Sequence, residues 1–370
     1  MSSAPEEPLS APSPLLAVPG AVPADGPDTG VAAHYGDPYA EQRALAEASG
    51  LVDQSHRGVI RISGPDRLSW LHSLTTQDLE HIEPGGTAEA LVLSPNGHVE
   101  HHLTLTGDDT HLWAHVEPGT AGPLLEFLES MRFMLRVEPA DVTADYAVLT
   151  LMGPAAPDLA AGVTTAATTA AFGLNLLIER ERLADTAARL QAAGAVLAGT
   201  WAYEALRIAA RRPRFGLDTD HRTIPHEVGW IETAVHLNKG CYRGQETVAR
   251  VHNLGHPPRR LVFLHLDGSE DRLPAHGDPV TRRDAGVGPE SGAEISAETG
   301  AGIGFVGSAA RHYELGPIAL ALVKRTVPVD ATLLAGGVPA AQEVIVPPDA
   351  GANVKVTMRR PHPGLTRARE

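Results

Sequence analysis

The strongest constraint on the fold is a change of texture at Pro257-Pro258. Upstream, strand-like runs alternate with helical ones. Downstream, from the strand 261–266, short β-rich runs at 279–280, 303–306, 318–323, 331–334 and 342–346 are divided by Gly, Pro and Asp. The first pattern implies an α/β or α+β unit, and the second a small barrel or sandwich. At 370 residues the chain exceeds what one compact core usually supports, so two or three units are expected. The boundaries fall at 34–257 for the core, 258–350 for the β unit and 351–370 for a basic tail. Residues 1–33 are rich in Pro, Ala, Ser and Gly and carry acidic but no basic side chains, which reads as a disordered tail rather than a signal peptide or presequence.

Within the core, Pro38 to Ala48 is expected to be a helix stopped by Gly50, followed by strands at 51–52 and 59–62. Ser63-Gly64-Pro65-Asp66 has the spacing of a capping box, opening a helix through Leu68, Trp70, Leu71 and Leu74. Strands at 89–93 and 99–106 are joined by Ser94-Pro95-Asn96-Gly97, a hairpin signal, and a third strand follows at 111–115. Leu124, Leu125, Leu128, Met131 and Met134 share one helix face, and 142–152 is a strand. Residues 155–171 carry little signal; a strand at 173–178 and a helix at 183–193 follow. The helix 201–210 is expected to turn Trp201, Ala205 and Ile208 inward. The Gly, Ala and Glu-rich stretch 284–302 reads as a mobile loop.

A formal charge of −15 argues against direct nucleic-acid binding, which rests on neutralising phosphates with Lys and Arg. No apolar run approaches the ~18 residues needed to cross a bilayer, so no membrane span is expected. A single cysteine, Cys241, forbids an intramolecular disulfide and an all-thiolate metal or iron–sulfur site within one chain, and fits a reducing cytoplasm.

That cysteine lies in Lys239-Gly240-Cys241-Tyr242-Arg243-Gly244-Gln245-Glu246. Lys239 and Arg243, each two positions away, would favour the thiolate, and Gly240 and Gly244 would permit a tight loop. Gln245 and Glu246 could start a helix whose dipole acts in the same direction. The alternative is a buried small hydrophobe in an ordinary turn. In the hairpin, His98, Glu100 and His102 would share one strand face, either as metal ligands or, as the favoured reading, as a solvated face. Arg207, Arg211, Arg212, Arg214 and Arg222 form a basic cluster, either an anion site or a set of ion pairs with Asp218, Asp220 and Glu204. The segment 223–230, with Glu227 and Trp230, suits a flat heterocycle through stacking and a carboxylate; the alternative is a loop whose Trp230 plugs the core.

Taken in order, Gly50-Leu51-Val52-Asp53, Gly64-Pro65-Asp66-Arg67, Leu206-Arg207-Ile208, Thr223-Ile224-Pro225-His226-Glu227 and the cysteine motif resemble the YgfZ branch of the GcvT-like folate-binding proteins, over roughly residues 40 to 345. The resemblance implies an α+β folate-binding core, part ferredoxin-like and part α/β, around a tetrahydrofolate pocket, with a C-terminal β-barrel from about Pro258. It also implies a tetrahydrofolate-dependent role in making or maintaining iron–sulfur enzymes, including tRNA-modifying ones, with those enzymes or cluster-assembly proteins as transient partners. No permanently bound metal is expected. Lys239 and Cys241 would be the reactive pair, and Gly240, Tyr242, Arg243, Gly244, Gln245 and Glu246 would shape the loop. The folate would sit by Arg207 and Trp230, with the pterin carboxylate open between Glu204 and Glu227. The aminomethyltransferase branch carries an Asp-Asp pair where this chain has His101 and His102, and a glutamate where it has Ala209.

Overall fold

The computed structural model describes residues 11–161, 167–169, 172–282 and 302–351. The first of its three layers is a five-stranded antiparallel sheet in the spatial order Thr87–Leu93, Val99–Gly107, His111–Val116, Gly58–Ser63 and Glu138–Asp141. Its strands alternate so that Ile60, Ile62, Leu103, Leu105, Leu112 and Ala114 face the helices Arg67–Leu74 and Ala121–Ser130, sealing one apolar core. The other face of this sheet carries Glu89, His102, Thr104 and His115 beside apolar residues such as Val59 and Trp113, and it is turned towards the second layer.

That layer is a five-stranded sheet ordered Ala167–Thr169, Leu174–Glu179, Tyr146–Met152, Gly50–Asp53 and Val196–Ala198, with only the last pair parallel. Helices Ala156–Ala161 and Leu183–Ala192 cover one face, while Pro38–Glu47 and Thr200–Ala209 pack on the other. The third layer is a closed barrel of six strands, Arg259–Leu266, Gly316–Lys324, Gly304–His312, Pro279–Arg282, Leu333–Ala335 and Val338–Val344. Strand alternation splits the barrel residues between two cores. Val262 and Leu264 fill the barrel, whereas Leu261 and Phe263 join Ala205, Ile208, Val228 and Trp230 in the core that binds it to the rest. The expected α+β core with a C-terminal barrel is the fold observed.

Several expectations need correction. Residues 11–33 are not a disordered tail. Pro14–Ala17 forms a short helix whose Leu15 is buried against Leu51 and Leu183, and Asp28 reaches the buried guanidinium of Arg214. Residues 1–10 lie outside the described residues, as do 284–301 of the expected mobile loop and the basic tail from 352. Trp201 does not face inward: it is 53% exposed and packs on His34. The helix carrying Leu124 and Leu128 stops at Ser130, leaving Met131 and Met134 exposed. No capping box forms at 63–66; Asp66 instead accepts from the backbone and guanidinium of Arg136. The Asn96-Gly97 hairpin forms as expected, with Gly97 at φ +80°.

Candidate functional site

Between this face of the first sheet and the helix Thr200–Ala209 lies a small cavity of about 70 Å³, lined by Glu89, His102, His115, Glu117, Asn175 and Arg207 among others. Its walls are held by ion pairs taken out of bulk water. Arg207, 4% exposed, is bidentate on Glu204 (2.7 and 3.0 Å) and reaches Asp218 at 2.9 Å. Arg214 meets Asp28 and Glu117 at 2.7 Å each, and Glu117 also takes Arg57 at 2.9 Å. Arg212 lies 2.5 Å from Glu89, and Arg211 pairs with Glu343. Burial works against both carboxylates, yet His102 and Arg212 hold Glu89 down at about 2, and Arg214 and Arg57 do the same for Glu117. Four of the five arginines of the basic cluster, Arg207, Arg211, Arg212 and Arg214, are thus ion-paired, but of the expected partners only Glu204 and Asp218 take part; Asp220 pairs with Arg259 instead.

Within this frame His115 is pushed down to about 3, by burial first and then by Arg57, so it is neutral at physiological pH. Its Nε2 sits 3.5 Å from Asn175 Nδ2, while Thr150 donates to Asn175 Oδ1 at 2.8 Å. His102 stacks flat on Trp230, ring centroids 4.7 Å apart, with its Nε2 4.0 Å from Glu89. Trp230, 3% exposed, anchors the core, which was one of its two expected roles, and also forms a wall of the cavity. Trp230, Arg212 and Pro213 also border a second cavity of about 970 Å³, lined by 228–233 and 235–238 and by 345–347 and 349–351 from beyond the barrel. An inner polar chamber thus adjoins a much larger outer one.

The two candidate pterin carboxylates are otherwise engaged. Glu227 is fully buried, accepts from the backbone of Ile224 and Arg259, and takes the Arg259 guanidinium at 2.8 and 2.9 Å. It braces the turn Pro225–Val228 against the barrel. Glu204 is committed to Arg207 and lies 3.4 Å from Arg214. Glu89 and Glu117, which the sequence did not single out, are the carboxylates that line the inner chamber.

The cysteine loop is built on the first sheet. Gly244, at φ +81°, precedes the helix Gln245–Leu254, and a Cβ there would lie 2.6 Å from Ser94 O. A Cβ on Gly97 would lie 2.8 Å from Thr247, so two glycines let the hairpin turn and the helix start touch. Gly240 has no such requirement, its Cβ position being open. Cys241 is exposed, which removes the buried-hydrophobe alternative. Its flanking cations are directed elsewhere. Lys239 Nζ donates to the carbonyls of His72, Thr75 and Gln77, the last two at 2.7 and 2.8 Å, and burial lowers the ammonium to about 8 against the pull of Asp78 and Glu80. Arg243 binds Glu100 at 2.7 Å and covers the Phe127 ring. Tyr242 is buried beneath Lys239, and burial raises its phenol to about 12. Gln245 opens the helix as expected, and Glu246 pairs with Arg250 on the surface.

A β-bulge divides the hairpin polar residues. Val92 pairs with His101 and Leu93 with Val99, leaving Glu100 as the extra residue, turned to Arg243 while His102 faces the inner chamber. His101 packs near Phe127 and is held at about 4 by burial and then by Arg243. Among the described residues no three His, Cys, Asp or Glu side chains are grouped to hold a metal ion.

Comparison with known proteins agrees with the fold. Residues 35–175 match the GCVT N-terminal domain family. An aminomethyltransferase of Symbiobacterium thermophilum is 27% identical over 283 residues, covering 66% of this chain and 74% of that protein. A chloroplastic protein of Arabidopsis thaliana, named provisionally as a transferase, is 27% identical over 60% of this chain, but the match spans only 57% of its own length. The solved glycine cleavage system aminomethyltransferase T from Bartonella henselae superposes with a TM-score of 0.74 over 90% of this chain and 96% of that one, at 19% identity. Together these matches show the aminomethyltransferase-like fold, with a GCVT N-terminal domain over residues 35–175.

Proposed function

We propose that this chain is a tetrahydrofolate-binding accessory protein for iron–sulfur enzymes, tRNA-modifying ones included, acting through Cys241. The observation that carries the folate part is the paired cavity. A reduced pterin is flat and edged with N–H donors and acceptors; Glu89, His102, neutral His115 and Asn175 offer complementary groups, and the ion-paired arginines keep them in place. The larger chamber beyond Trp230 leaves room for the remainder of the molecule. Bound folate would supply a carrier for a one-carbon unit. The part played by Cys241 rests on its exposure, its anchored loop and the motif resemblance. One thiolate does not hold a cluster alone, so an iron–sulfur cargo would be met transiently, with the partner's own ligands.

Titration calorimetry is expected to show tetrahydrofolate binding, and its absence removes the pocket assignment. In a deletion strain, Cys241→Ser is expected to fail to restore an iron–sulfur tRNA-modifying enzyme while binding folate as the parent does. Full rescue would reduce the protein to a folate-sensing scaffold. A second reading, one-carbon transfer, is favoured by His102, whose imidazole lines the inner chamber beside Glu89 where it can act as acid or base. Turnover of tetrahydrofolate with an amine donor that is lost in His102→Phe but kept in Cys241→Ser would favour that reading over the first.

A further inference from the structure

The outer chamber contains a buried group to which the reading above gives no role. His226 is 3% exposed and lines the chamber, yet neither ring nitrogen has a hydrogen-bond partner among the described residues. Buried polar atoms are normally paired, and leaving a donor and an acceptor unmet is costly. The side chain is fixed where it is: the adjacent Glu227 grips Ile224 N and Arg259, locking the turn Pro225–Val228 that carries it. Burial, then His252, hold His226 at about 4, so at neutral pH the ring presents one N–H donor and one acceptor.

The surroundings select the ligand. Val228, Trp230, Ile231 and Val346 give apolar walls, and the His252 ring lies 6.0 Å from that of His226. The guanidinia at the rim, Arg211 and Arg212, are paired with Glu343 and Glu89, so a carboxylate gains little there. Two imidazoles do not make a metal site, and no further ligand joins them among the described residues. What suits a neutral imidazole in an apolar wall is an uncharged group that both accepts and donates. We propose that the outer chamber is a binding site for a neutral carboxamide borne on an apolar or aromatic body, recognised by His226. The amide could be the benzoyl amide of a folate seated in the inner chamber or that of a separate ligand; only the first of these sources rests on the folate assignment.

Benzamide titrated into the full chain, with the histidine ring nitrogens followed by NMR, tests the proposal. The expected result is a saturable shift of the His226 signals in the millimolar range and none with benzoate. His226→Phe is expected to weaken benzamide binding at least tenfold and to raise the melting temperature, because the variant no longer buries two unmet polar atoms. Unmoved His226 signals, equal binding of benzoate, or undiminished binding by His226→Phe would each overturn it. If that variant does not fold, the shifts in the parent protein still decide. Displacement of benzamide by tetrahydrofolate assigns the amide to folate itself, and simultaneous binding assigns it to a second ligand. Benzamide binding in a protein that does not bind tetrahydrofolate sustains the outer site while removing the folate assignment.

Discussion

Replacing Asp28 with alanine is expected to lower stability by about 3 kcal/mol, at the lower end of the range for breaking a buried ion pair. Asp28 accepts from both terminal nitrogens of Arg214, at 2.7 and 3.3 Å, and lies 3.0 Å from His56 Nε2. Arg214 is 3% exposed and keeps Glu117 and Glu204 after the substitution, which is why the upper end is not expected. Urea denaturation of parent and variant measures the difference. Its pH dependence has a definite sign. Burial opposes the ionised carboxylate, but Arg214 and His56 outweigh it and hold Asp28 well below the ordinary carboxylate range. A carboxylate with a depressed folded value contributes fully above its unfolded value of about 3.9 and loses that contribution as pH falls towards the folded value. The gap between parent and variant should therefore be flat from about pH 5 upward and shrink below about pH 4. Deleting residues 1–33 should cost at least as much, since it also removes Leu15 from its core; a truly disordered tail would cost nothing.

The Asp28 contact also shows where sequence reasoning stops. The alternation that gave the strands is a local property, so the hairpin at Asn96-Gly97, the helix after Gln245 and the barrel after Pro258 were all legible. Leu112, Ala114 and Val116 on the strand His111–Val116 mark the face that meets helices, and by elimination His111, Trp113 and His115 mark the other. What no local pattern states is that the second sheet covers that other face, turning a set of half-buried polar residues into a chamber. The same applies to Glu89 and Asn175, each of which is alone in an apolar run and carries no local signal. Asp28 is hidden in the sequence for a compositional reason. A segment rich in Pro, Ala and Ser lacks apolar surface for a core of its own, but a few buried side chains, Ser13, Leu15 and Val31 to Ala33, together with Asp28, suffice when the rest of the protein supplies their partners. The cysteine loop erred in the opposite direction: proximity in sequence put Lys239 and Arg243 beside the thiol, while in the fold their charges are used to anchor the loop at both ends.

Lys239→Met is accordingly expected to abolish support of the iron–sulfur enzyme as fully as Cys241→Ser does, without touching the thiol. The Lys239 ammonium satisfies carbonyls of His72, Thr75 and Gln77, groups around the C-terminal end of the helix Arg67–Leu74, where a cation also meets the favourable end of the helix dipole. Methionine keeps the stem packed near Tyr242 but leaves these carbonyls unmet, at a cost of about 2–4 kcal/mol. Lys239→Arg should rescue poorly, because three converging carbonyls suit a compact ammonium and not a flat guanidinium fork. Hydrogen exchange at residues 72–77 and around 239–246 separates anchoring from chemistry. Faster exchange in both stretches, together with lost complementation and retained alkylation of Cys241, is the expected pattern. Lost complementation with exchange unchanged in both stretches would mean that Lys239 acts directly on a partner or ligand, and the anchoring account would fall. Full complementation by Lys239→Met would mean that the position of Cys241 does not depend on the anchor at all.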